Sequence, residues 1–218
     1  MQSSRFPLIL GAILAMVLGL IAANIGLFDG GKGSSDASNG QENTVVRMKV
    51  STVLNPAKPV PDFSLMNHSG EVFTKASLAN KHSILFFGFI NCPDICPGTL
   101  QFLKSVKHKL AEQDKWGQFQ VIFISVDPAR DTVEKMAQYM PYFDAEFVGV
   151  TGTVESIDAF AKSLSMPYSL GEVDEHGNYN VDHSASMLLT NEQGNVKAII
   201  TQPFTLEEIT EDLLAIIE

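Results

Sequence analysis

The chain's two cysteines, Cys92 and Cys96, lie four positions apart in GFINCPDICPGTL (Gly88–Leu100), and a proline follows each. Two thiols at this spacing can form a structural bridge, a redox couple or a clamp on one metal ion. A disulfide here closes a loop of a few residues, so it adds little by restricting the unfolded chain. The thiols follow an apolar run, ILFFGFI (Ile84–Ile90), and stand where a helix begins. A thiol at a helix N-terminus gains from the positive end of the helix and its unpaired N–H groups, which favours thiolate. On one helical turn the two sulfurs fall on the same side, about 6 Å apart along the axis. That suits a disulfide after modest adjustment, or one metal ion. A plain structural bridge is common in extracytoplasmic domains, but the place of these thiols at the end of a buried strand favours a working site.

A nitrogen ligand would separate a metal site from a redox couple, and the chain has five histidines. His68 lies in a turn (NHSG), His82 at a polar strand entry and His108 on a lysine-bearing helix face, so all three read as solvated. His176, in the acidic, Gly-containing loop EVDEHGN, reads as exposed, although a mobile loop could bring it to a metal. His183, in VDHSASMLLT, immediately precedes an apolar strand. Ligands of an α/β sheet gather at strand ends, so His183 faces the cysteine loop if the two strands are neighbours. Two thiolates and one imidazole suit copper, since thiolates select Cu(I) or zinc and imidazole suits copper in either oxidation state. Structural zinc calls for four ligands, whereas three leave a position open for a metal that is handed on. Met136 and Met140 repeat with the apolar stripe of their helix and read as core.

These residues need a scaffold, and the apolar patterning supplies one. Ile84–Ile90 and Phe119–Val126 are nearly continuous in apolar residues, as in strands covered on both faces. Phe147–Val150, Met187–Thr190 and Val196–Ile200 add three more strands, the last two joined at NEQGN as a hairpin. Phe63–Met66 and Val72–Thr74 form another hairpin. Leu100, Leu103, Val106 and Leu110 mark a helix, and a second starts at Asp131 or Thr132, with Asp131 and Glu134 resembling a capping box. A third runs from about Thr153 to Leu164, and a last one starts at the T-x-x-E box of Thr205 and Glu208. The order implies an α/β domain with a mixed central sheet flanked by helices.

Residues 6–28 contain no charged side chain, and about 20 apolar residues suffice to cross a bilayer. The run outlasts a signal peptide, and Ile21-Ala22-Ala23 is a poor cleavage site, so an uncleaved N-terminal transmembrane helix is expected at residues 1–28. Arg5 precedes the span and Asp29 follows it, which places the remainder outside the cytoplasm. That reads as a single-pass protein of a bacterial inner membrane with its domain in the periplasm. Residues 29–44, DGGKGSSDASNGQENT, form a flexible tether, leaving residues 45–218 as one domain. The chain carries a net charge of −10, and Arg5 is its one charge before Asp29. So acidic a domain speaks against nucleic acid and against anionic lipid headgroups.

GFINCPDICPGTL, ISVDPARDT (Ile124–Thr132), VGVTGT (Val148–Thr153) and VDHSASMLLT resemble, in order and spacing, the Sco (SenC) family of copper-binding assembly proteins. The resemblance runs from about Pro61 to Glu218; Asn91 stands where many relatives carry His. It implies a thioredoxin-like fold, with copper, as Cu(I) and Cu(II), bound by Cys92, Cys96 and His183. It also implies delivery of copper to the dinuclear CuA centre of cytochrome c oxidase subunit II, or reduction of that subunit's cysteines. The implied partners are subunit II and a periplasmic thioredoxin-like reductant or another copper chaperone. Asp127, Arg130 and Asp131 match a motif beside the site. They read either as support for the site or partner docking, or as an ordinary strand-to-helix turn with its cap, and the second is preferred. A metal-independent thiol–disulfide oxidoreductase would use Cys92 and Cys96 without His183. A peroxidase would want an Arg beside the reactive thiol, and neither cysteine has a basic neighbour in sequence. A redox or copper sensor would need a partner-recognition segment, and none stands out.

Overall fold

The structure, a computed structural model, describes residues 44–176 and 178–217. The expected membrane span lies outside these residues, as does the expected tether up to residue 43. Among the described residues no helix is long and apolar enough to cross a membrane.

Among the described residues, eleven strands and four helices follow one another, apart from short 3₁₀ turns. Strands β1 (Thr44–Arg47), β2 (Ser51–Lys58), β3 (Ser64–Asn67) and β4 (Val72–Thr74) precede the buried strand β5 (His82–Gly88). Helix α1 (Ile95–Ala111) leads to β6 (Phe119–Ser125), and α2 (Val133–Tyr139) leads to β7 (Val148–Thr151). Then come α3 (Val154–Ser163), β8 (Tyr168–Leu170), β9 (Val181–His183), β10 (Met187–Thr190), β11 (Val196–Ile200) and α4 (Leu206–Ile217). Nine strands form one sheet in the order β1-β2-β11-β10-β5-β6-β7-β3-β4, while β8 and β9 pair with each other. The pairs β5–β6 and β6–β7 are parallel and all others are antiparallel, so the sheet is mixed, as expected.

The central strands are buried on both faces. Phe86, Phe123 and Gly149 stand side by side in register, and the next residue of β5, Phe87, points to the opposite face. On the first face Gly149 lies against Met136 and Met140 of the α2 segment, and both methionines are fully buried, as their stripe predicts. On the second face Phe87 packs on Phe160 of α3, with ring centroids 6.1 Å apart. Helix ends are closed by short polar side chains. Thr153 accepts from the Ser156 N–H at 3.2 Å, and Thr205 and Glu208 form the expected reciprocal box at the start of α4.

Three local expectations are corrected. The cap of α2 is Thr132, which accepts from the Lys135 N–H; Asp131 is turned inward instead. His82 is buried, with its ring Nδ1 bonded to the Thr190 carbonyl at 3.2 Å. His68 is half-buried, and its ring Nδ1 accepts the Gly149 N–H at 3.0 Å, tying the β3–β4 turn to β7. Strand pairing brought backbone groups to both imidazoles, which polar neighbours in sequence did not reveal. Strands β1 and β2 were not expected, and β1 opens at Thr44, the last residue assigned to the tether.

Candidate metal centre

The strand order brings three chain segments to one end of the central strands. The cysteine loop follows β5 and the VDPARD turn follows β6. Strand β10 runs antiparallel to β5, with Met187 opposite Phe86, so its N-terminal end meets the C-terminal end of β5. His183 therefore reaches the cysteine loop because β5 and β10 are neighbours. It is the last residue of β9, and three residues separate it from β10.

Cys96 lies in the first turn of α1 and is fully buried, whereas Cys92 precedes the helix and is half-buried. Both thiols are free. The pair does not sit on one helical turn: a bend after β5 brings Cys92 Sγ to the helix N-terminus, where it accepts the Cys96 N–H at 3.4 Å. Cys96 Sγ lies 3.5 Å from His183 Nε2, and His183 Nδ1 lies 3.1 Å from the Ser184 carbonyl. A carbonyl oxygen can only accept, so Nδ1 carries a proton, and in the neutral ring the Nε2 lone pair faces the thiols. The ligand atoms of Cys92, Cys96 and His183 all lie within 4.8 Å of one another. No other such group of three His, Cys, Asp or Glu residues occurs among the described residues.

The expected lowering of both thiols by the helix is corrected for Cys96. Burial pushes its thiol well up, and the bond from the Phe89 backbone offsets this only in part. A buried thiol held neutral beside a lone-pair nitrogen is poised to lose its proton when a cation replaces it. Cys92 and His183 open onto a cleft of about 270 Å³ whose wall includes Phe89, Ile95 and Val181.

The turn after β6 braces this site from behind. Asp131 is buried, and its Oδ2 accepts the Ile90 N–H at 3.0 Å and the Ser125 hydroxyl at 2.7 Å. Burial raises its pKa, and these two bonds work against the rise. Asp127, also buried, pairs with Arg130 Nε and accepts the Tyr179 hydroxyl at 2.6 Å. The preferred reading as a plain capped turn is thus corrected for Asp131, which holds the segment leading to Cys92, while Asp127 ties Arg130 and Tyr179. The fold also brings Arg130 to 5.9 Å from the Phe89 ring, although no basic residue adjoins the cysteines in sequence. Tyr179 went unnoticed in sequence; its one signal was an aromatic side chain at the end of an acidic loop. His108 and His176 are exposed and stand outside the cluster.

A mixed α/β domain with two free thiols after its first parallel strand, and an imidazole delivered from the antiparallel neighbour, is a thioredoxin-like scaffold carrying a soft ligand set. A family model described as SCO1/SenC matches residues 52–218, and the chain belongs to that family. A putative copper-binding protein of Stutzerimonas stutzeri is 32% identical over 161 residues, covering 74% of this chain and 78% of that protein. The bovine mitochondrial SCO2 homolog is 38% identical over 152 residues, 70% of this chain and 57% of that protein. The chain spans between 48% and 60% of the length of the SCO2 homologs of cow, mouse, zebrafish and human. The crystal structure of Arabidopsis thaliana ScoI with copper bound matches with a TM-score of 0.67 and 35% identity, covering 72% of this chain and 96% of that one.

Proposed function

We propose that this protein is a membrane-tethered, periplasm-facing copper chaperone that supplies the CuA centre of cytochrome c oxidase subunit II. Copper is its cargo, carried by the thiolates of Cys92 and Cys96 and the imidazole of His183. The observation that carries this reading is the convergence of those three ligand atoms within 4.8 Å. Soft sulfur donors suit Cu(I), and the added nitrogen suits Cu(II). The copper-bound Arabidopsis relative and the copper-binding Stutzerimonas relative support the choice of metal. The oxidase, a periplasmic thioredoxin-like reductant or second copper chaperone, and the N-terminal anchor at residues 1–28 follow from the sequence resemblance and the apolar span.

The unequal burial of the two thiols favours a second reading, thiol–disulfide exchange. Cys92 faces the cleft, whereas Cys96 is fully buried behind it. The Cys92 thiolate would attack a target disulfide, releasing one target thiolate and forming a mixed disulfide. Cys96 would then displace the second target thiolate, so the target gains two electrons and this chain becomes the disulfide.

Anaerobic titration of the reduced full-length protein with Cu(I) and Cu(II), each against a competing chelator, separates the two. One equivalent of each ion should bind, and a Cys92→Ser/Cys96→Ser double variant should bind neither comparably. Copper binding no tighter than in that double variant, with target disulfides still reduced, would sink the chaperone and leave the oxidoreductase.

A further inference from the structure

The hairpin that carries His183 hangs from the sheet by few contacts. Strands β8 and β9 pair with each other and with no strand of the main sheet. Its base is packed through Val181, which is 3% exposed. Beyond that base, every described residue of 171–180 is exposed except Tyr179. The backbone bonds there, Gly171 N–H to Asn180 O and Asp174 N–H to Asn178 O, both 2.8 Å, tie the hairpin only to itself.

Tyr179 is tied to the body twice. Its hydroxyl donates to Asp127 Oδ1 at 2.6 Å, and its ring centroid lies 3.6 Å from the Arg130 guanidinium carbon. Asp127 is 1% exposed, and its other oxygen pairs with Arg130, so the acceptor is fixed in place. A bond to a carboxylate and a stacked guanidinium are both stronger than neutral contacts of the same kind. The same turn supplies Asp131, which holds Ile90 two residues before Cys92. Arg130 also faces Phe89, and Phe89 stands edge-on to the His183 ring at 5.9 Å and 87°.

We infer that Tyr179 is a positioning residue: clamped by Asp127 and Arg130, it holds the hairpin so that His183, four residues on, keeps Nε2 against Cys96. Loosening the clamp frees the imidazole and leaves the two thiols where they are. The metal readout rests on the copper reading above, and a metal-free readout does not. Partners that orient a metal ligand from outside the coordination sphere typically govern affinity by about 10–100-fold.

The test uses the reduced full-length protein with Tyr179→Ala, which removes ring and hydroxyl, and Tyr179→Phe, which keeps the stacked ring. Cu(II) dissociation into a chelator should accelerate about 10–100-fold in Tyr179→Ala, with Tyr179→Phe in between. The thiolate-to-Cu(II) absorption should weaken in Tyr179→Ala, while Cu(I) affinity and the count of reactive thiols stay unchanged. Without metal, the amides of residues 181–183 should exchange with solvent faster in Tyr179→Ala than in the wild type. Wild-type Cu(II) spectra and dissociation rates in both variants would overturn the inference. So would faster amide exchange with unchanged Cu(II) behaviour, because Tyr179 would then hold the hairpin without positioning the ligand. If the wild type takes up no copper, the chaperone reading fails, and metal-free exchange alone judges the clamp. Unchanged exchange in Tyr179→Ala then refutes it, and faster exchange sustains it.

Discussion

Replacing Gly88 with Ala asks whether close packing sets the position of the inner thiol. Gly88 ends β5, and a Cβ there would lie 2.7 Å from Cys96 Sγ and 2.7 Å from Phe123 Cε2. Non-bonded carbons prefer about 3.5–4.0 Å, so at least one neighbour has to move by roughly an ångström. Phe123 is fully buried, with Phe86 at 5.8 Å and Tyr139 at 6.0 Å between ring centroids, so the contact with its ring opens only if the Gly88 backbone shifts, and the contact with Cys96 opens by displacing the sulfur. Its shift also disturbs the 3.5 Å approach to His183 Nε2. Overpacking of this kind costs about 1–3 kcal/mol, and restricting the unfolded chain returns about 0.4–1 kcal/mol. Gly88→Ala is therefore expected to destabilise by about 1–2 kcal/mol. Gly98, one turn into α1, is the internal control: its added Cβ meets nothing within 4 Å. Ala there should stabilise by about 0.5–1 kcal/mol. Denaturant unfolding of the reduced protein reads both, as midpoints moving in opposite directions at constant slope. A Gly88→Ala protein as stable as Gly98→Ala would refute the packing argument.

His183→Ala should lose stable Cu(II) binding yet keep Cu(I) on the two thiolates and keep dithiol reactivity toward a disulfide, because Cu(I) accepts sulfur without imidazole; unchanged Cu(II) spectra would remove His183 from the site. Asp212 is 2% exposed and its Oδ2 accepts the Val50 and Ser51 N–H groups at 2.9 and 2.8 Å. Asp212→Ala strands those donors, and about 1–3 kcal/mol of stability should go, read as a fall in Tm that Asp212→Asn partly restores. Burial lowers the pKa of His82, and the Thr190 carbonyl offsets this in part. The folded chain then binds fewer protons than the unfolded one, so this contribution is complete above the unfolded value of about 6.5 and is lost as pH falls through it. His82→Phe should flatten the acid-side decline in unfolding free energy between about pH 7.5 and 5.5, and an unchanged slope would exclude His82 as its source.

The order of elements was legible from the chain because apolar periodicity depends only on which faces are buried. The runs 84–90, 119–126, 187–190 and 196–200 all became strands within two residues of their expected ends. The stripe through Leu100, Leu103, Val106 and Leu110 became α1, and the Thr205–Glu208 box capped α4. Candidate ligands were legible too, since there are two cysteines and His183 stands just before a buried strand, whereas His68, His82 and His108 have polar neighbours. The edge strand β1 and its neighbour β2 were missed because β1 is exposed throughout, β2 is only partly covered, and neither carries a clear apolar alternation. What only the tertiary structure decided was proximity. Antiparallel pairing of β10 with β5 converts a separation of 87 residues between Cys96 and His183 into 3.5 Å. The same packing buries Cys96 and raises its thiol pKa, against the local effect of the helix end, because desolvation is set by every neighbouring element rather than by the chain alone. Tyr179 reaches Asp127 across 52 positions of sequence, so no local pattern announced that contact. Residue types name what chemistry is available, and the register of the strands decides which of them meet.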